Sequence, residues 1–123
     1  MLPLPRGDSL TSPKTALEAV PQELRVQPML NSYAFGGYFI QEGLKPFVDG
    51  RADMFGDAFL GVYSRLANGE AEAVEDALKR YDIAWTIFSP GQKIVERMDR
   101  EPGWRRLYAD GFAVVHVRDE LRR

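Results

Sequence analysis

The chain has 123 residues, sixteen basic and eighteen acidic, for a net charge of -2 at neutral pH, with 45% hydrophobic residues. That size fits one domain with an ordinary core, and near-balanced charge without a long like-charge run argues against a nucleic-acid binder or a polybasic membrane patch. Cysteine is absent and histidine occurs once, which removes disulfides, thiolate nucleophiles, zinc–thiolate sites and any histidine-rich metal cluster.

Residues 1–13 hold Pro3, Pro5, Pro13 and Gly7 and read as a flexible lead-in to a single α/β domain over 14–119, with 120–123 as a tail. The lead-in lacks a basic n-region and an apolar h-region, so no secretory leader is expected. Nowhere does an apolar run approach the ~18 residues of a membrane span. The Arg6-Gly7-Asp8 triplet is three common residues in a loop and carries no adhesion signal by itself.

Ser12-Pro13 starts a helix, with Thr15 and Glu18 at capping-box spacing. Leu17, Val20 and Leu24 mark its apolar face, and Pro21 divides it into two short pieces. "RVQPML" (25–30) reads as a short strand ending near Asn31, and "SYAFGGYFIQEG" as a short aromatic-rich helix ending at Gly43. "KPFVDG" (45–50) is a second brief strand. Phe59, Val62, Tyr63 and Leu66 then form an amphipathic stripe closed by Asn68-Gly69, and Val74, Ala77, Leu78 and Tyr81 repeat it. "IAWTIF" (83–88) is a continuous apolar run of strand length, as expected for a strand covered on both faces. Ser89, Pro90 and Gln92 announce another helix, whose buried face is Ile94, Val95 and Met98. "WRRLYADGFAVVHVR" alternates on both sides of Asp110-Gly111 and predicts a hairpin with a two-residue type I′ turn. Strand–helix–strand repeats followed by a hairpin predict an α/β three-layer sandwich around a mixed sheet.

Chemistry-bearing constellations are few. No phosphate-binding glycine loop follows a strand, so no nucleotide and no other cofactor is expected. His116 alternates with Val115 and Val117 and reads as a solvent-facing strand residue, which leaves no nucleophile–base pair and no catalytic residue to name. "KPFVDGRADMFGD" (45–57) puts Asp49, Arg51, Asp53 and Asp57 at a strand end and helix start. It is no calcium loop, because Arg51 stands at the second ligand position, and no metal site is expected. Its place at the carboxyl end of a parallel strand is where open α/β sheets bind ligands. One reading gives Asp49 and Asp53 hydrogen bonds to a polar ligand, with Arg51 on an anionic group. The other pairs Arg51 with a neighbouring carboxylate and uses Asp53 or Asp57 as a helix cap. Asn31 and Tyr33 follow another strand and would reach the same edge. Tyr33, Phe35, Tyr38 and Phe39, with Trp85 and Trp104, also fit a core.

"NSYAFGGYFI" followed by "KPFVDGRADMFGDAFL" resembles the C-terminal soluble region of bacterial polytopic membrane proteins related to GT-C glycosyltransferases, with Asp-Gly-Arg-Ala-Asp as its most specific element. "YDIAWTIFSP" and "GWRRLYADGFAVVHVR" are similar to that region too, so the likeness spans most of residues 16–118. The resemblance implies a tail domain on the extracytoplasmic face of a bacterial inner membrane, following a bundle of membrane helices. Its partners would be the membrane-embedded remainder of the parent protein and a lipid-linked sugar or its acceptor. The parent would move a sugar from a polyprenyl-phosphate donor, with its catalytic carboxylate in loops outside this chain. On that reading the chain is a non-catalytic accessory domain using Asp49, Arg51, Asp53, Asn31 and Tyr33 for substrate recognition. A purely structural module and a freestanding small α/β ligand-binding protein are the other readings.

Overall fold

The computed structural model describes residues 12–44 and 57–119. In chain order, the described elements begin with α1 (Lys14–Glu18), α2 (Gln22–Arg25), β1 (Met29–Asn31), a 3-10 turn (Tyr33–Phe35) and α3 (Gly36–Gln41). They continue with α4 (Asp57–Ala67), α5 (Ala71–Arg80), β2 (Trp85–Phe88), α6 (Lys93–Asp99), β3 (Trp104–Ala109) and β4 (Val114–Arg118). The fold is α/β, with one four-stranded mixed sheet in the order β1-β2-β4-β3. β1 runs parallel to β2, while β4 is antiparallel to both β2 and β3.

Pleating explains how the sheet is buried. Successive strand side chains point to opposite faces, and the register sets Trp85 opposite Val117 and Ile87 opposite Val115 on one face. These four join Met29, Ala16, Leu17, Val20, Phe35 and Phe39 in one apolar cluster, where Phe39 meets Phe35 and Trp85 edge to face. Leu30, Phe88 and Val114, of the opposite parity, join Leu66 of α4, Val74, Ala77 and Leu78 of α5, and Ile94, Val95 and Met98 of α6. Helical residues therefore pack on both sheet faces. The continuous apolar run in β2 follows from that, since all four of its residues are buried.

Three helices end in the same hydrogen-bond pattern. After α3, Gly43 N–H bonds to Ile40 O and Leu44 N–H to Phe39 O; after α4, Gly69 bonds to Leu66 O and Glu70 to Arg65 O. After α5, Asp82 bonds to Lys79 O and Ile83 to Leu78 O. These are Schellman ends, which need a left-handed residue: Gly43 at φ 83°, Gly69 at φ 74° and Asp82 at φ 50°. Gly69 is doubly required, because a Cβ there would lie 2.9 Å from the Lys93 carbonyl oxygen at the start of α6.

Several local expectations change. Arg25 closes α2 rather than opening a strand, so β1 begins four residues later. α1 has no side-chain cap at Pro13, and Glu18 instead pairs with Lys14 at 3.3 Å. α6 starts at Lys93, not at Pro90; Gln92 Oε1 still accepts the Ser89 N–H at 3.1 Å, half of the expected capping box. The hairpin turn is longer than two residues. Ala109 pairs with Val114, and Asp110 N–H bonds to Ala113 O at 3.0 Å. Asp110 Oδ1 accepts the N–H groups of Phe112 and Ala113, and Oδ2 the Tyr108 hydroxyl. Among the described residues the glycines with positive φ are Gly43, Gly69 and Gly103, so Gly111 does not supply the conformation a type I′ turn demands. The Asp110 side chain organises the loop instead. The expected strand at 45–50 lies outside the described residues, as do the side chains of Phe59 and Val62.

The two glycine environments give a signed test. Gly69→Ala should cost about 1–3 kcal/mol, from left-handed strain and the contact with Lys93. Gly37, in α3 with open space around its Cβ direction, should gain about 0.5–1 kcal/mol on substitution by Ala. Urea denaturation of both variants checks the opposite signs.

Candidate functional site

The expected recognition residues divide. Asn31 closes β1 and Tyr33 opens the 3-10 turn beyond it, at the carboxyl end of the parallel pair. Asn31 is fully buried, and its amide donates to Ser32 O at 2.8 Å, while Ser32 N–H extends the ladder to Ile87 O at 2.9 Å. Asp49, Arg51 and Asp53 lie outside the described residues, as does the side chain of Tyr33. Trp85 is in the core as expected, and Trp104 is half-buried against the second cluster.

The densest polar cluster among the described residues lies elsewhere. His116, expected to face solvent, is 1% exposed. Its ring belongs to the β4 face that carries Val114 and is covered by α6. The alternation with Val115 and Val117 is real, but both faces of β4 are covered, so neither parity is wet. His116 Nε2 lies 2.8 Å from Asp99 Oδ1 at the end of α6. Arg106 of β3 grips the same carboxylate with two bonds, Nε to Oδ1 at 2.8 Å and Nη2 to Oδ2 at 2.9 Å.

The hairpin register makes this meeting possible. Arg106 stands directly opposite His116, and a β-bulge at Leu107 then sets Tyr108 opposite Val115. The bulge lets Leu107 and Tyr108 both pack on the first cluster while Arg106 points to the other face. On the other side of β4, Thr86 of β2 is the register partner of His116. Thr86 Oγ1 is buried and has no hydrogen-bond partner among the described residues.

The electrostatics follow from these contacts. The Arg106 hydrogen bonds, helped by His116 and opposed by burial, hold the Asp99 carboxyl down to about 2. An ionised carboxylate only accepts hydrogen bonds, so His116 Nε2 carries the proton toward it. Burial lowers the His116 pKa below its ordinary 6.5, with the Asp99 contact pulling upward and the Arg106 charge adding to the lowering. The neutral ring with hydrogen on Nε2 is therefore the resident form near neutral pH.

Chemically, the arrangement is a pin rather than a reaction centre. A general base must reach the proton that it takes from a substrate, and this ring is closed in by protein with Nε2 occupied. Sequence reasoning missed the cluster because Asp99, Arg106 and His116 are brought together only by the hairpin register and the docking of α6. The available signal was the apolar run of β2, since a strand paired beside one covered on both faces lies under the same layers unless it sits at the sheet edge, as β3 does. No protein-family model matches the chain, and neither a curated protein nor a solved structure is significantly similar to it.

Stability should fall on acidification in two windows. The depressed His116 pKa means that the unfolded chain takes its proton first, so that contribution is lost as pH drops below 6.5. Asp99 behaves likewise, its contribution being present above 3.8 and lost as pH falls toward 2. Asp99→Asn should abolish the second window. At neutral pH it should cost about 1–2 kcal/mol, toward the low end because the carboxylate is partly exposed and screened. Urea titrations across pH check both statements.

Proposed function

We propose that this chain acts as a non-catalytic accessory domain of a larger GT-C-like membrane glycosyltransferase, on the extracytoplasmic side, where it helps to hold a lipid-linked sugar or its acceptor. The observation that supports the non-catalytic part is the engagement of the single histidine. His116 is buried, with Nε2 on Asp99, and Arg106 occupies both oxygens of that carboxylate. The side chain best suited to acid–base work near neutral pH is thereby a structural member.

The recognition part rests on the sequence resemblance and on position. Asn31 and Tyr33 stand at the carboxyl end of parallel β1, the end at which α/β sheets bind ligands; Asn31, buried with its amide on Ser32 O, would shape that edge rather than touch the ligand. The Asp49–Arg51–Asp53 segment supplies the charges for a phosphorylated or hydroxyl-rich ligand. Among the described residues no helix is long and apolar enough to cross a membrane, so membrane attachment would come through the parent protein.

Co-sedimentation with vesicles that contain or lack a polyprenyl-phosphate-linked sugar tests this reading. The chain should bind the sugar-bearing vesicles selectively and release no sugar from them. An Asp49→Asn, Arg51→Ala, Asp53→Asn variant should bind about tenfold more weakly, ~1.4 kcal/mol. Equal binding to both vesicle types, or turnover of the donor by the chain alone, would overturn it.

A further inference from the structure

The Asp99 carboxylate is shared unequally. Its Oδ1 takes two donors, Arg106 Nε and His116 Nε2, each at 2.8 Å, while Oδ2 takes Arg106 Nη2 at 2.9 Å. The two partners also differ in their access to water. His116 is 1% exposed and cannot leave without opening the core, whereas the Arg106 side chain is 47% exposed and can swing outward. Arg106 belongs to β3, one of two edge strands in the sheet, which among the described residues pairs with β4 alone.

We propose that the Asp99–Arg106–His116 cluster is an acid-sensitive latch that fastens edge strand β3 to α6 and lets it loosen when His116 takes up a second proton. With Nε2 already protonated, that proton goes to Nδ1. The cluster then holds an imidazolium and a guanidinium on one carboxylate, a net positive charge around a buried ring. An uncompensated buried charge is costly. The cheaper arrangement keeps the buried imidazolium on Asp99 and releases the exposed Arg106 to water.

The groups around the ring are few. Asp99 faces it from α6, Arg106 from β3 and Thr86, which does not titrate near neutrality, from β2. Arg97 of α6 is turned to Glu101 and Glu75, at 2.7 and 3.8 Å. The other helical neighbours on this face are apolar, through Leu66, Val74, Ala77 and Leu78, with the phenol of partly buried Tyr63 of α4 packed against them. No second carboxylate among the described residues contacts His116 to compensate an added proton. The lowered basicity of the buried ring places the change below ordinary histidine titration.

Amide hydrogen exchange, corrected for intrinsic rates, distinguishes a local latch from general unfolding. Between about pH 7.5 and about pH 4.5 the β3 amides should lose at least ~10-fold more protection than the β2 amides, which follow the general loss of stability on acidification. His116→Gln, which still offers an N–H to Asp99 but cannot titrate, should remove the pH dependence. Arg106→Gln provides an independent arm, with β3 protection already low at the higher pH and no further loss on acidification. Unchanged β3 protection in the wild type, parallel loss across all strands, or a pH response retained in Arg106→Gln would each overturn the latch.

Discussion

A single carboxylate ties together the second half of the fold. Asp99 ends α6, Arg106 sits on edge strand β3 and His116 on β4 inside it, and the three meet within ordinary hydrogen-bond distances. Hydrophobic burial is strong but non-directional, so it does not by itself fix how β3 slides along β4. A one-residue slip would turn Arg106 to the other face and leave His116 with a different neighbour. The bidentate grip on Asp99 selects the observed register, and the bulge at Leu107 reconciles it with the packing of Tyr108.

The cluster is needed because the sheet has no wet face around β2 and β4. Trp85, Thr86, Ile87 and Phe88 are all buried, as are Val114, Val115, His116 and Val117. A polar side chain in such strands must find a partner or forfeit hydration, at about 1–3 kcal/mol per unpaired group. His116 is satisfied through α6. Thr86 Oγ1 and Trp85 Nε1 lack hydrogen-bond partners among the described residues, and nothing in those residues accounts for them.

Much of this architecture is legible in the residue order. Periodicity locates α5 and the described part of α4, Pro21 divides the first helical segment, and the apolar run of 83–88 announces a strand covered on both sides. Glycine marks two of the three Schellman ends, while Asp82 fills the third in a left-handed conformation that its residue type signals only weakly. The hairpin is readable from alternation, but its turn is not, because the side chain of Asp110 rather than the Asp-Gly pair sets its geometry. His116 is the instructive case. Alternation gives its parity correctly, yet whether that parity is wet depends on α6, a contact that strand periodicity does not encode. Of the recognition residues suggested by the sequence, Asn31 is buried at the end of β1, Tyr33 opens the 3-10 turn after it, and the Asp49–Asp53 segment lies outside the described residues.

The cluster depends on His116 being a neutral structural donor, with a pKa below 6.5 and its hydrogen on Nε2 facing an ionised Asp99. Long-range nitrogen–proton NMR correlation of the imidazole, followed through a pH titration, reads both properties in one experiment. The expected result is the Nε2–H tautomer near neutral pH and a midpoint below 6.5. An Nδ1–H tautomer, or a midpoint at or above 6.5 with the rapid proton exchange of an exposed ring, would contradict it.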